Sequence, residues 1–384
     1  MESPEQQDLN EFSLSTGGLL HSLSQHTKVA DHIIARVFAL MVITWFPLLI
    51  LWEVYSPAAV DISFLLDYGV YGRILVAIPL LVIAEIPINR RTRDALGQFI
   101  KTNLTRAEDV PLLASAVRDA TAQKGSILAE IIILAIIYSS IGVRSMVILP
   151  VSLSTWYYAD GKITPAGWYY LLVSLPAFQF LLIRWIWRLA IWTGLLWRIS
   201  RLDLQLVPIH PDKMGGLGFL GLAQIPFGII GFACGAVIST SLLNHITYRG
   251  LVLANATSVM VVYVVLAVLV IIAPVFVFTG KLVALRASGI LKYGDLGEDY
   301  ARLFDQKWIG GSHPEDETVL GSSDIQSLAD LANSYAIVQN MRIMAADNKT
   351  VIGIAVMAAI PMIPVFFATL PFDEIVARVL GILG

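Results

Sequence analysis

"HPDKMGGLGFLG", residues 210–221, runs directly into "LAQIPFGIIGFACGAVISTSLL", residues 222–243, and the reading of this junction decides the fold. Within it, "GLGFLG" (216–221) has the G-x-G-x-x-G spacing of a dinucleotide-binding turn. Such a turn needs a strand before it and a βαβ unit around it. Here a Trp/Arg-rich helical run precedes it. An apolar run comes after it, of the length, about 20 residues, that crosses a hydrocarbon core as a helix. The glycines, with Pro211, therefore read as a tight re-entry turn that permits positive φ and close backbone packing. The other reading is a ligand or anion held by amides at the start of the fifth helix, with Lys213 nearby.

The rest of the chain agrees with a membrane. Of its 384 residues 57% are hydrophobic and only 14% charged, and the mean hydropathy is +0.72. A soluble domain carries about a quarter charged residues. The net charge of −3 gives no ground for nucleic acid as a partner, and the single cysteine, Cys234, excludes an internal disulfide. The opening residues lack the basic and apolar regions of a signal peptide. They read as a mobile polar tail.

Seven apolar runs predict an all-α integral membrane protein: Val37–Tyr55, Gly69–Ile88, Ser126–Val143, Ala166–Trp197, Leu222–Leu243, Ala254–Thr279 and Val351–Leu370. No internal repeat is visible. Basic residues concentrate in alternate connections: Arg90, Arg91, Arg93, Lys101, Arg106, Arg118 and Lys124 in one, Arg198, Arg201 and Lys213 in the next. Lys281 through Lys349 supply the third. The positive-inside rule then predicts a cytoplasmic N-terminus and an outside C-terminus. The expected organisation is a cytoplasmic tail (1–30), helices one to four (31–199) with a cytoplasmic helical loop (89–125), and helices five and six (200–279). A cytoplasmic helical platform (280–350) precedes the last helix and an outside tail (351–384). These features predict a multi-pass protein of the plasma membrane or bacterial inner membrane.

Ionisable residues near the span ends are site candidates. Glu53 and Arg73 lie at matching depth near the outer interface and can pair. Glu85, Glu130, Arg184 and Arg188 cluster by depth near the cytoplasmic face, as structural pairs or as a charged vestibule that selects ions. Arg184, Arg188 and Arg198, with Trp185, Trp187, Trp192 and Trp197, suit a helix leaving through the interfacial belt. "HPD" (210–212) and "HPEDE" (313–317) each offer one histidine, which is turn chemistry sooner than a metal site; His21, His26 and His32 lack helical ligand spacing. No catalytic constellation is visible. No enzyme activity, cofactor or metal is expected.

Three packing features remain. Gly228, Gly231, Gly235 and Ser239 form a small-residue face on the fifth span. The last span, "VIGIAVMAAIPMIPVFFATL" (351–370), carries Pro361 and Pro364, which free backbone carbonyls and bend it. With Gly353 and Met357, and with Asn255 and Ser258 on the outer half of the sixth span, these two prolines are the candidate pore lining. Residues 322–344 predict an amphipathic helix, capped by Ser322 or Ser323, whose Leu328, Leu331 and Tyr335 are candidate oligomer contacts. Its polar face carries Asp324 and Asp330, and such a face suits protein better than an anionic lipid surface.

In layout, over residues 35–371, the chain resembles the insect chemoreceptor-type channels. They too have seven spans with an inside N-terminus, intracellular helix extensions where four subunits meet, and a last helix that lines the pore. The family's last span ends on a Thr-Tyr and aromatic pattern that 351–370 lacks. The resemblance implies a homo-oligomer, a tetramer, conducting ions through the bilayer. The expected function is therefore an oligomeric ion channel or channel-like permeation protein. The alternatives are a membrane sensor or scaffold that binds a partner or small ligand through its cytoplasmic helices, and a membrane enzyme using the His210 loop.

Overall fold

The computed structural model describes residues 12–14, 33–55, 60–148, 154–311, 318 and 322–367, with backbone alone for 142–148. Most of the expected tail, "HPEDE" and residues 368–384 lie outside the described residues. The protein is all-α: α1 Ile33–Tyr55, α2 Tyr68–Lys101, α3 Val110–Lys124, α4 Ile127–Ile148, α5 Pro165–Ile199, α6 Gly218–Arg249, α7 Leu253–Ile309, α8 Ser323–Gln339 and α9 Asn348–Phe367. A β-hairpin, β1 Tyr158–Ala159 with β2 Lys162–Ile163, precedes α5. Its turn, Asp160 and Gly161, has positive φ at both residues, which Asp-Gly tolerates best.

Among the described residues, six helices are each long and apolar enough to cross a bilayer. The segment holding α3 joins α4 at a bend of 42°, and counting that bent pair as one span raises the number to seven. The protein is thus a multi-pass membrane protein. Several helices exceed the runs read from sequence. α2 continues through Arg90–Arg93 to Lys101, and α7 is 57 residues long, about 85 Å at 1.5 Å per residue. Residues 280–309 of α7 are met by α8, which packs back on them.

α5 is the hub, packed by α1, α2, α3, α4 and the Ala273–Phe278 turn of α7. Polar side chains lock this packing: Ser174 Oγ donates to the Thr44 carbonyl at 2.6 Å and Trp185 Nε1 to that of Leu81 at 2.7 Å. Trp185 and Trp192 are buried, so only Trp187 and Trp197 remain for the interfacial belt expected of all four.

The small-residue face meets the last helix. A Cβ on Gly235 would lie 2.6 Å from the Ala358 carbonyl and 2.8 Å from Pro361 Cγ; one on Gly228 would strike Met357 Sδ at 2.7 Å. Gly235→Leu should therefore prise α6 from α9, at a cost of about 1–3 kcal/mol for overpacking. An unchanged unfolding midpoint in detergent would show that the helices do not rely on this approach.

Candidate functional site

The glycine junction supports no nucleotide. Gly215 and Gly216 have φ of +66° and +96° and make the turn, while α6 already begins at Gly218. Gly221 lets the 341–347 segment pass close, since its Cβ would lie 2.9 Å from Ala346 Cα. Three of the amides that could hold an anion are taken by the chain itself. Asp212 Oδ1 accepts from Met214 N at 2.7 Å and Gly216 N at 3.2 Å, and Oδ2 from Gly218 N at 2.8 Å. An internal carboxylate stands where a phosphate would.

The charges expected near the inner face do assemble. Glu85 Oε1 lies 3.0 Å from Arg188 Nη1, and its Oε2 lies 3.0 Å from Arg36 Nη2. Arg184 Nε lies 3.2 Å from Glu130 Oε1. Glu85, Glu130, Arg184 and Arg188 are all buried, and Arg188 also covers the Trp185 ring at 4.7 Å. They tie α1, α2, α4 and α5 together.

The other candidates separate. Met357 and Pro361 are turned against α6, whereas Gly353 has open space beside it and Pro364, Asn255 and Ser258 are exposed. Leu328, Leu331 and Tyr335 face the chain's own α7, beside Tyr293, Gly294 and Gly297. As candidate oligomer contacts they are already half spent within one chain. Glu53 is exposed, and Arg73 pairs elsewhere.

Arg73 leads to a site that the sequence reading missed. At the end of the bundle opposite the basic connections, α2, α5 and α6 surround a cavity of about 410 Å³. Arg73 and Tyr170 both stand in π-helical turns, Gly72–Ala77 and Tyr170–Ser174. Pro79 and Pro176 come shortly after. A proline offers no N–H to the carbonyl four residues back, and widening the preceding turn is one accommodation. The two bulges bring Arg73 Nη1 to 3.0 Å from the Tyr170 hydroxyl, which accepts its hydrogen bond.

Asp67 holds the rim. Its Oδ1 accepts from Gly69 N at 2.9 Å, Val70 N at 3.4 Å and Asn244 Nδ2 at 2.6 Å; Oδ2 accepts from Trp156 Nε1 at 2.9 Å. This carboxylate caps α2 and joins it to α6 and to the hairpin segment. Trp156, fully buried, stands edge-on to Phe64 and Tyr170 with ring centroids 5.1 and 5.5 Å away. Gln179, Ser241, His245 and Arg249 add polar groups, while Ile62, Leu171, Leu175 and Phe178 supply an apolar wall. Two guanidinium groups against one internally satisfied carboxylate leave the cavity net positive.

A small open cleft with an apolar wall and convergent polar groups is the ordinary form of a small-molecule site. Fold and cavity together define a multi-pass helical membrane protein with a polar pocket within its bundle. Comparison with protein-family models, curated proteins and solved structures returns no match.

Proposed function

We propose that the chain is a membrane sensor whose ligand is a small organic anion with an apolar body. The observation that carries this reading is the Arg73–Tyr170 pair, held inside the cavity by two adjacent π-turns. A guanidinium in a polar pocket with one apolar wall recognises a carboxylate by a charge-assisted hydrogen bond and leaves the wall for the ligand's apolar body. With the basic connections cytoplasmic, as the positive-inside rule requires, the cavity opens to the outside. α2 and α6 both border it and both run to the cytoplasmic end, so an outside ligand can bias the cytoplasmic helices. This moves the ligand site of a sensor from the cytoplasmic helices to the outer half.

A panel of small aromatic and aliphatic carboxylates, added to the protein in nanodiscs, tests the reading. A ligand at a hundred times its Kd stabilises the protein it binds by about 2.7 kcal/mol. Arg73→Gln should abolish that shift and leave the ligand-free midpoint nearly unchanged. If no carboxylate raises the wild-type midpoint above that of Arg73→Gln, the sensor reading fails.

Channel formation in an oligomer is the second reading, favoured by the broken last helix. α9 keeps one face on α6 and leaves Ile352, Val356, Ile360, Ile363 and Phe366 exposed to a neighbour. The long α7, the α7–α8 pairing and this last helix also suit the layout of the insect chemoreceptor-type channels. Absence of monovalent ion flux from liposomes, with and without a stabilising carboxylate, would remove this reading and leave the first standing.

A further inference from the structure

α2 beyond Glu85 and α3 enclose a slot at the basic end, and residues 12–14 of the same chain fill it. A polar N-terminal tail is not expected to be buried, yet Phe12 and Leu14 are each 1% exposed and Ser13 4%. Both apolar side chains join the main core cluster, which includes Ile88, Val117 and Ala120.

Three side chains from the two helices recognise successive backbone groups of this triplet. Arg93 Nε donates to the Phe12 carbonyl at 3.1 Å, Lys124 Nζ donates to the Ser13 carbonyl, and Leu14 N donates to Asn89 Oδ1 at 2.9 Å. The Lys124 ammonium also lies 5.7 Å from the centre of the Phe12 ring. Backbone hydrogen bonds combined with pockets for alternate side chains are how grooves bind extended peptides. The slot has that form, and it takes an apolar–x–apolar segment.

Ordering the backbone of three residues opposes the contact, while burial of Phe12 and Leu14 and the three hydrogen bonds favour it. The closed state is therefore the favoured one, yet so few groups hold it that it opens far more readily than the bundle itself. We infer that the slot between α2 and α3 is a peptide-binding site whose resident is the chain's own Phe12–Leu14, a releasable latch that a second peptide of the same pattern can replace. It clamps α3 to α2 directly below the Glu85–Arg188 pair. The inference is independent of the outer cavity.

The test uses the full chain in detergent and a fluorescent peptide of residues 6–18. The peptide is expected to bind Phe12→Ala/Leu14→Ala protein at least tenfold more tightly than wild type, whose slot is filled. Hydrogen exchange should quicken at residues 86–93 and 113–124 of that variant and stay unchanged in α6 and α9. Should the double variant fail to fold, Arg93→Gln keeps both apolar side chains and should quicken exchange at the same amides. Equal peptide binding to wild type and variant, or unchanged exchange in the variants that fold, would overturn the latch.

Discussion

Glu85→Ala is expected to lower the unfolding midpoint sharply, and Glu85→Leu with Arg188→Met to restore most of it. Glu85 is bonded to Arg188 and Arg36 at 3.0 Å each, and Arg188 is 3% exposed. Removing the carboxylate strands Arg188 in the bundle, and breaking a buried ion pair this way costs about 3–5 kcal/mol. Whole domains are stable by only about 5–15 kcal/mol. Arg36, with its side chain 30% exposed, can turn to water. Arg188 cannot. Replacing both buried partners with apolar side chains of similar volume is often neutral or better, so the double variant should approach the wild-type unfolding midpoint. It also separates two roles. If Glu85 and Arg188 serve only to join α2 to α5, a stable double variant keeps whatever ligand response or flux the wild type shows. If they form an ion-selecting vestibule, it folds and loses flux.

That charges at 85, 130 and 184 gather at one depth, with Arg188 one turn further in, was legible in the sequence; which of them pair was not. Nor was Arg36, since it precedes the run read as the first span. The spans themselves were legible through hydropathy, and Gly231, Gly235 and Ser239 through their four-residue spacing, with Gly228 extending the same face. Where charge and length compete, the sequence is less clear. α2 and α7 run on through basic residues because an amphipathic helix needs no change of backbone on leaving the bilayer. The outer cavity was hidden for another reason. Asp67 reaches partners 89 and 177 residues away, and no periodicity links positions so far apart. One local signal was present: "YADGKI" (158–163) has the Asp-Gly turn of a two-residue hairpin. This hairpin stands beside Trp156, and Trp156 reaches Asp67. The position of Phe12–Leu14 was equally out of reach, since three residues in a polar tail carry no pattern.

Asp67→Ala should open the outer end of the bundle and remove ligand binding, while Asp67→Asn should retain part of both. Asp67 is 6% exposed and satisfies four donors from three parts of the chain. Alanine leaves the Trp156 indole N–H and the Asn244 amide without their acceptor, and each buried orphan costs about 1–3 kcal/mol. Two neighbouring contacts hold the same junction: Tyr68 N donates to Asn244 Oδ1 at 3.1 Å, and Tyr248 Oη donates to the Leu66 carbonyl at 3.0 Å. They survive the substitution, so the expected loss is local opening rather than global unfolding. Hydrogen exchange should quicken over residues 62–70, 154–164 and 241–249 and stay unchanged at the α6–α9 contact. Asparagine keeps an oxygen at the Oδ1 position for Gly69 and Val70, but its amide faces the indole N–H donor-to-donor. Trp156 should come loose while the α2 cap remains. Arg73 sits six residues along α2 from this cap, within two turns, so its aim into the cavity depends on Asp67 through the backbone. A carboxylate that stabilises the wild type should therefore lose its effect in Asp67→Ala, although Arg73 is intact. If Asp67→Ala binds as wild type does, the cavity is not the ligand site, and Arg73→Gln acts through some other contact.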